Sequence, residues 1–172
     1  MKKIVLTFGL ISGAVSASLM FVNMSFIDTI GFENGVYLGY TAIVISFLFV
    51  YFGIRSYRDN VQGGKITFGK AFQAGILITL ISCVFYVGSW LVVYYKFIPD
   101  FVDKYAVYMV EEQRAKGASQ ADIDKTVVQA AEMREMLANP FMNAAMTFTE
   151  PFPVGLLITL VSAAVLAKRE AV

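Results

Sequence analysis

The feature that most constrains this chain is a set of long apolar stretches without a charged residue. A helix needs about 20 residues to cross the roughly 30 Å hydrocarbon core of a bilayer. Three stretches meet this length, at residues 4–27, 34–54 and 71–95, and a fourth at 151–167 lies near the lower limit of about 17 residues. The sequence therefore predicts an all-α integral membrane protein with four transmembrane helices in a single membrane domain, residues 1–172.

Composition supports a membrane protein and disfavours most enzymes. The chain is 58% hydrophobic and 16% charged, whereas soluble domains are roughly 45–50% apolar and about 25% charged. It has no histidine, which is the commonest metal ligand and near-neutral general base. We expect no catalytic residue, metal site or cofactor, and the net charge of +1 gives no indication of a nucleic-acid partner. The single cysteine, Cys83, is expected to be a small packing residue.

The first apolar stretch has two interpretations. Two lysines, an apolar run and the small residues AVSAS resemble a cleavable signal peptide. The run continues through LMFVNMSFI, however, which is longer than a typical signal-peptide core. We favour an uncleaved helix and four spans; cleavage would leave three.

The distribution of lysine and arginine predicts an orientation. With a cytoplasmic N-terminus, the inner segments carry eight basic and two acidic residues, and the outer segments carry six basic and eleven acidic residues. The short segment 28–34 contains no basic residue. Since positively charged loops remain in the cytoplasm, both termini are expected there.

The longest polar section, around residues 96–139, is predicted to form two helices. Pro99 opens the first and Gly117 ends it, because proline is tolerated in a first helical turn and glycine favours a helix stop. Ser119 and Asp122 form a capping box that starts the second helix, which ends before Pro140. We expect residues 98–139 to be a helical hairpin inserted on the outer side of the membrane.

The string GILITLIS at residues 75–82 recurs as GLLITLVS at residues 155–162. In each copy, glycine, threonine and serine lie at helical positions i, i+4 and i+7 and share one narrow face. Similar small-residue faces occur in the first two spans, and small residues let membrane helices approach closely. The predicted packing positions are Gly9, Gly13, Gly35, Gly39, Gly75, Thr79, Ser82, Gly155, Thr159 and Ser162. These faces suit either a compact bundle or a bundle that also forms a homo-oligomer.

The two copies also allow a hypothesis about symmetry. In the predicted orientation they enter the membrane from opposite sides, as in the inverted repeats of many secondary transporters. The alternative is that two apolar helices drew similar strings from the same few residue types. We favour this alternative because the match covers one helix rather than a multi-helix unit.

Glu150 is the one candidate intramembrane carboxylate. It lies between apolar stretches, just before Pro151 and close to Pro153. If the fourth helix begins at Pro151, Glu150 lies at the outer interface near a positive helix N-terminus, which we favour. If the membrane segment begins near Phe141, Glu150 lies at a broken helix within the bilayer, where a carboxylate indicates a functional site. For Asn23, ordinary interfacial hydrogen bonding is favoured over contact with a substrate.

The run GGKITFGKAFQAG at residues 63–75 leads from a basic turn into the third span. With this run, the long outer helical section and the NPF before the last span, the chain resembles a family of small four-span bacterial inner-membrane proteins. That family is described chiefly from Bacteroidetes-type genomes and is classed as a domain of unknown function. The resemblance implies four spans and a bacterial inner-membrane location, and it implies no activity, cofactor or catalytic residue.

Two functional hypotheses follow. The first is a non-enzymatic protein that interacts or assembles with membrane or periplasmic partners through its outer hairpin and small-residue faces. The second is a small transporter or channel subunit that uses Glu150 and the Gly/Thr/Ser faces of the third and fourth spans. A membrane enzyme ranks third, because its carboxylates would have to converge from different depths.

Overall fold

The computed structural model describes residues 1–167, and these residues form helices and no strand. The helices, in chain order, are α1 Lys2–Ser25, α2 Ile27–Ile30, α3 Phe32–Val61, α4 Phe68–Val92, α5 Phe101–Ala115, α6 Gln120–Ala138, α7 Pro140–Phe148 and α8 Pro151–Leu166. A π-helical turn, Val93–Phe97, extends α4. Four helical segments are long and apolar enough to cross a membrane: Lys2–Ser25, Phe32–Val61, Phe68–Phe97 and Pro140–Leu166. The predicted all-α class with four potential spans is confirmed.

The fourth potential span is longer than the predicted 151–167 because it includes α7. The side chain of Asn139 caps α7 by accepting hydrogen bonds from the backbone N–H groups of Phe141 and Met142. Pro140 occupies the first turn, where its missing N–H costs nothing. A break follows at Thr149 and Glu150, since Pro151 cannot donate a backbone hydrogen bond to α7. The last apolar segment is therefore a broken helix.

The four long segments form a bundle in which α3 and α4 touch each other and both touch α1 and α8. The core between α3 and α4 is fully buried around Val50, Ile54, Ala74 and Ile78. Cys83 is buried in the same core. α3 continues to Val61, well past the predicted end of the apolar span at residue 54. The polar turns that follow the span are therefore helical as well.

Small residues bring α1 against α4. A Cβ atom added to Gly9 would lie 2.9 Å from Cβ of Ile81, and one added to Gly13 would lie 2.6 Å from Cγ of Phe85. Both distances are shorter than carbon atoms tolerate, so glycine is needed for this approach. Nearby, Ser12 Oγ donates to the carbonyl of Ser46 at 2.8 Å and lies 2.9 Å from Ser82 Oγ.

The repeated strings face each other where α4 crosses α8. A Cβ atom on Gly75 would lie 2.8 Å from Thr159 Cγ2, and one on Gly155 would lie 2.5 Å from Thr79 Cγ2. The hydroxyls of Thr79 and Thr159 are 2.9 Å apart. Each glycine thus contacts the threonine of the other string. This reciprocal pairing means that the two helices are antiparallel and related by a local twofold axis.

The polar section forms α5 and α6, which contact each other. Ser119 Oγ accepts from the backbone N–H of Asp122 at 3.3 Å and starts α6 as a cap. Arg134 near the end of α6 pairs with Asp103 near the start of α5 at 3.1 Å. Lys104 of α5 pairs with Asp28 of α2 at 3.2 Å. The section is therefore attached to the bundle; its placement outside the cytoplasm remains a prediction.

The α4–α8 crossing yields a stability prediction. Replacing Gly155 by alanine forces a Cβ atom against Thr79 and against Phe47 Cζ, 2.8 Å away, whereas a Cβ atom on Gly88 meets nothing within 4 Å. Both Gly→Ala changes gain the same helix propensity, so their difference isolates the packing cost of about 2 kcal/mol. We expect the thermal midpoint of Gly155→Ala in detergent to lie ~4–8 °C below that of Gly88→Ala.

Equal midpoints for the two variants would contradict the close approach of α4 and α8. Light scattering on the same samples provides the second readout. A change in oligomeric state only in Gly155→Ala would indicate that this face contacts another copy instead.

Candidate functional site: an apolar cavity containing a carboxylate

A cavity of about 720 Å³ lies beside the packed core, between α1, α3, α4 and α7. It begins where the side chains that fill the space between α3 and α4 end, at Ile43 on α3 and Tyr86 on α4. Apolar and aromatic residues form most of its wall, among them Leu19, Met20, Met24, Ile27, Val36, Ile43, Trp90 and Met146. No Lys or Arg is among the lining residues, all of which belong to the described part of the chain.

An aromatic cluster closes one end of the cavity. The ring of Phe32, in the first turn of α3, lies 5.7 Å from Phe101, 5.4 Å from Tyr105 and 5.4 Å from Tyr108, measured between centroids. Phe101 and Tyr105 of α5 also line the cavity, as do Met133 and Leu137 of α6. The α5–α6 section therefore covers this end of the cavity, and we call it the roof of the site. The side of the section that faces away from the cavity is a separate surface.

A polar network holds α7 in position beside α4. The fully buried Asn143 accepts from Trp90 Nε1 at 2.9 Å and from Thr147 Oγ1 at 3.3 Å. Its amide nitrogen donates to the carbonyl of Leu137 at 3.2 Å, and Tyr95 donates to the same carbonyl at 3.0 Å. Because every polar group of Asn143 has a partner, this network fixes the angle at which α7 leaves α6.

Glu150 lies at the break between α7 and α8 and lines the cavity. Its Oε2 accepts a hydrogen bond of 2.9 Å from the hydroxyl of Tyr86 on α4. Its side chain is accessible, and within residues 1–167 no basic side chain forms an ion pair with it. One carboxylate oxygen is thus oriented by Tyr86 and the other remains available.

Asn23 of α1 also belongs to the lining and carries a buried acceptor without a partner. It is only 8% exposed, and its Nδ2 donates to the carbonyl of Gly35 at 2.9 Å. This bond fixes the orientation of the amide, because a carbonyl can accept only from the nitrogen. Oδ1 is buried without a hydrogen-bond partner and is the one such side-chain atom found within residues 1–167. A buried acceptor left unpaired is costly.

Of the ten predicted packing residues, two line the cavity and eight lie away from it. Gly35 and Gly39 of α3 line it, next to Asn23. The other eight lie at helix contacts or in the buried core away from the lining: Gly9, Gly13, Gly75, Thr79, Ser82, Gly155, Thr159 and Ser162. The Gly and Thr positions of α4 and α8 are therefore occupied by each other, and Ser82 contacts Ser12 of α1. None of them is part of the cavity, whereas Glu150 is.

Several cavity residues were not identified from the sequence. Trp90, near the end of the third predicted span, matches the pattern of an interfacial aromatic residue, and no local pattern marks Tyr86 or Asn143. Their roles depend on contacts with α7, whose start at Pro140 agrees with the alternative start near Phe141, which the sequence analysis did not favour. Asn139 followed by proline is a helix-start signal that could have revealed it. Among the described residues no three His, Cys, Asp or Glu side chains group as a metal site.

Comparison with known proteins adds a family and no activity. No curated protein and no solved structure matches the chain significantly. The sequence model of the family described as "Protein of unknown function (DUF4199)" matches residues 7–168, which is nearly the whole chain. The bacterial lineage stays an expectation. With four membrane-span-like helices and a match of this extent, the chain belongs to the DUF4199 family.

Proposed function

We propose that this chain is a non-enzymatic membrane protein that binds a small, largely apolar molecule in the cavity around Glu150. The single observation behind the proposal is the combination of an apolar wall with one available carboxylate oxygen. The volume of about 720 Å³ falls within the roughly 300–1,000 Å³ typical of pockets for drug-sized ligands. Binding of this kind is the first step of a carrier, so the proposal is closer to the transporter hypothesis than to assembly.

The site is expected to lie within the hydrocarbon layer. The α4 span, Phe68–Phe97, has 30 residues and is ~45 Å long at the helical rise. Tyr86 then lies ~16 Å from its Phe97 end, which places the Tyr86–Glu150 pair ~9 Å inside a centred 30 Å core. We propose that the α5–α6 end faces out of the cytoplasm, in accord with the basic residues near the opposite end.

The shape of the cavity supports entry from the bilayer rather than from water. Val36 and Tyr40, which line the cavity on α3, are 49% and 51% exposed on the outside of the bundle. The end nearest the polar section is covered by Phe32 and α5. An apolar molecule dissolved in the membrane could therefore enter sideways beside α3 while the aromatic roof stays closed.

Glu150 is proposed as a binding group rather than a catalytic one. The only titratable side chains beside it in the cavity wall are tyrosines. General acid–base chemistry normally needs a second group whose pKa lies near the working pH. The cavity provides orientation and charge, and its described lining contains no histidine, cysteine or lysine.

Filling the cavity should abolish binding of an apolar probe. Trp90 is the only tryptophan of the chain and lines the cavity, so its fluorescence reports occupancy. We expect saturable quenching of the purified protein in detergent by 1-bromonaphthalene. Gly39→Leu should weaken the saturable binding of the probe at least tenfold. The leucine side chain would extend past Asn23, whose Nδ2 lies 3.6 Å from a Cβ built at Gly39.

Gly88→Leu is the matched control, since a Cβ atom there meets nothing within 4 Å and Gly88 is not part of the lining. This variant should bind the probe as the natural chain does. Quenching that rises linearly, without saturation, and equally in all three proteins would mean that the probe only partitions into the micelle.

Assembly is the second candidate, and one surface feature favours it. Val127 and Val128 are adjacent on α6 and are 51% and 56% exposed, on a section rich in charge. Side chains of this kind at an exposed helix surface suit contact with a membrane or periplasmic protein. If so, the α5–α6 pair serves both as roof and as docking surface.

Charge introduced at this surface should separate the two roles. We expect Val127→Asp/Val128→Asp to remove partner proteins cross-linked to the chain in native membranes while leaving probe binding at Trp90 unchanged. The matched control is Thr126→Ser, a conservative change at the buried neighbouring position. Identical cross-linked species in the double variant and the control would argue against docking through this surface.

A further inference from the structure

We propose that the molecule bound in the cavity is an apolar cation, whose positively charged group pairs with the Glu150 carboxylate at the inner end of the cavity. The inference rests on the proposed function and names the charge of the ligand. It depends on the position of the one carboxylate in the described lining and on the absence of Lys and Arg from that lining.

The cavity is elongated along the bundle. On α3 its lining extends from Phe32 to Ile43, a length of ~16 Å at the helical rise of about 1.5 Å per residue. At the Phe32 end, the rings of Phe101 and Tyr105 belong to the roof. The residues that line this end are aromatic or apolar, so a charged group placed there would have no counter-charge.

The carboxylate lies at the opposite, inner end. Glu150 is bonded to Tyr86, and the preceding residue on α4, Phe85, contacts Gly13 of α1. The lining of α1 begins one turn after Gly13, at Ser16, and continues from there towards the roof. The negative charge is therefore at one end of a long apolar wall, which suits a molecule with its charge at one end.

Glu150 has an oxygen that the described chain leaves unused. The Tyr86 hydroxyl donates to Oε2 and orients the carboxylate, and the other oxygen has no partner within residues 1–167. In the hydrocarbon layer, where the proposed function places it, an unpaired carboxylate is costly, and a cation in contact with it compensates the charge. No Lys or Arg of the described lining supplies that cation, but a ligand can.

The rest of the wall is compatible with a cation and unfavourable to an anion. Tyr86 and Trp90 lie one turn apart on α4 and both line the cavity, and the faces of such rings attract cations. An anion would meet the Glu150 carboxylate without a basic group to offset the repulsion. Asn23 lies nearer the roof and its Oδ1 is enclosed by the protein, so Glu150 alone meets the charge of the ligand.

Three probes with the same brominated ring test the inference through quenching of Trp90, in the full chain purified in a nonionic detergent. 4-Bromobenzylamine is a cation at neutral pH, 4-bromobenzyl alcohol is neutral but keeps a hydrogen-bond donor, and 4-bromobenzoate is an anion. We expect the amine to bind about tenfold or more tightly than the alcohol, as charge-assisted hydrogen bonds do. The benzoate should bind most weakly.

Three variants assign the preference to its source. Glu150→Gln should reduce the ratio of amine to alcohol affinity to less than about threefold, whereas Glu150→Asp, which keeps the negative charge, should retain most of the ratio. Glu111→Gln is the matched control, because it removes an exposed carboxylate of α5 that is not part of the lining, and it should leave the ratio unchanged. Partition of each probe into the detergent is the same for all the proteins, so it cancels when their ratios are compared.

The outcomes distinguish this inference from the proposed function. Saturable binding in which the amine is no tighter than the alcohol overturns the inference and leaves the cavity as an apolar binding site; this comparison uses the natural chain and needs no variant to fold. A ratio that survives Glu150→Gln, or that falls equally in Glu150→Asp, also overturns it. Failure of all three probes to saturate contradicts the proposed function itself.

Discussion

The close antiparallel contact between α4 and α8 is the constraint on which the rest of the structure depends. In a bilayer, helices gain little from burying apolar side chains against each other, since lipid tails are equally apolar. Association therefore needs backbone proximity and hydroxyl pairs, which Gly75, Gly155, Thr79 and Thr159 provide. The reciprocal exchange explains why the chain carries nearly the same string twice: both helices need the same notch and the same knob.

This contact also determines where the bundle is open. α8 packs against both α3 and α4 and is continuous with the tight core around Val50 and Ile78. α7, by contrast, is separated from α8 by the break at Glu150 and is held against α4 by Asn143 and Trp90. The space between α3 and α7 is consequently lined but not filled, and the same break that opens it places a carboxylate in its wall. Packing and site are consequences of one broken helix.

The sequence predicted the helical class well and the site poorly, for identifiable reasons. Uninterrupted apolar stretches are a strong local signal, and the small-residue faces follow directly from helical periodicity. The cavity depends on contacts between distant segments, such as Tyr86 with Glu150 and Trp90 with Asn143, which no local pattern encodes. Glu150 was recognised as unusual. Whether it was placed at the interface or within the bilayer depended on whether a helix begins before it, near Pro140. The favoured start of the fourth span at Pro151 omitted α7. Asn23 was expected to form ordinary hydrogen bonds. Its Nδ2 does so, with the carbonyl of Gly35, but its Oδ1 has no partner.

The central claim is that Glu150 faces an apolar cavity inside the membrane rather than the aqueous interface. Single cysteines test it in a Cys83→Ser background, with Glu150→Cys as the reporter and Ser119→Cys, at the exposed cap of α6, as the control. Intact vesicles of suitable orientation are treated with a membrane-impermeant maleimide and then with an apolar, permeant one. The account predicts that the impermeant reagent labels Ser119→Cys and spares Glu150→Cys, which the permeant reagent then labels. Equal labelling of both positions by the impermeant reagent would place Glu150 in water and contradict the account.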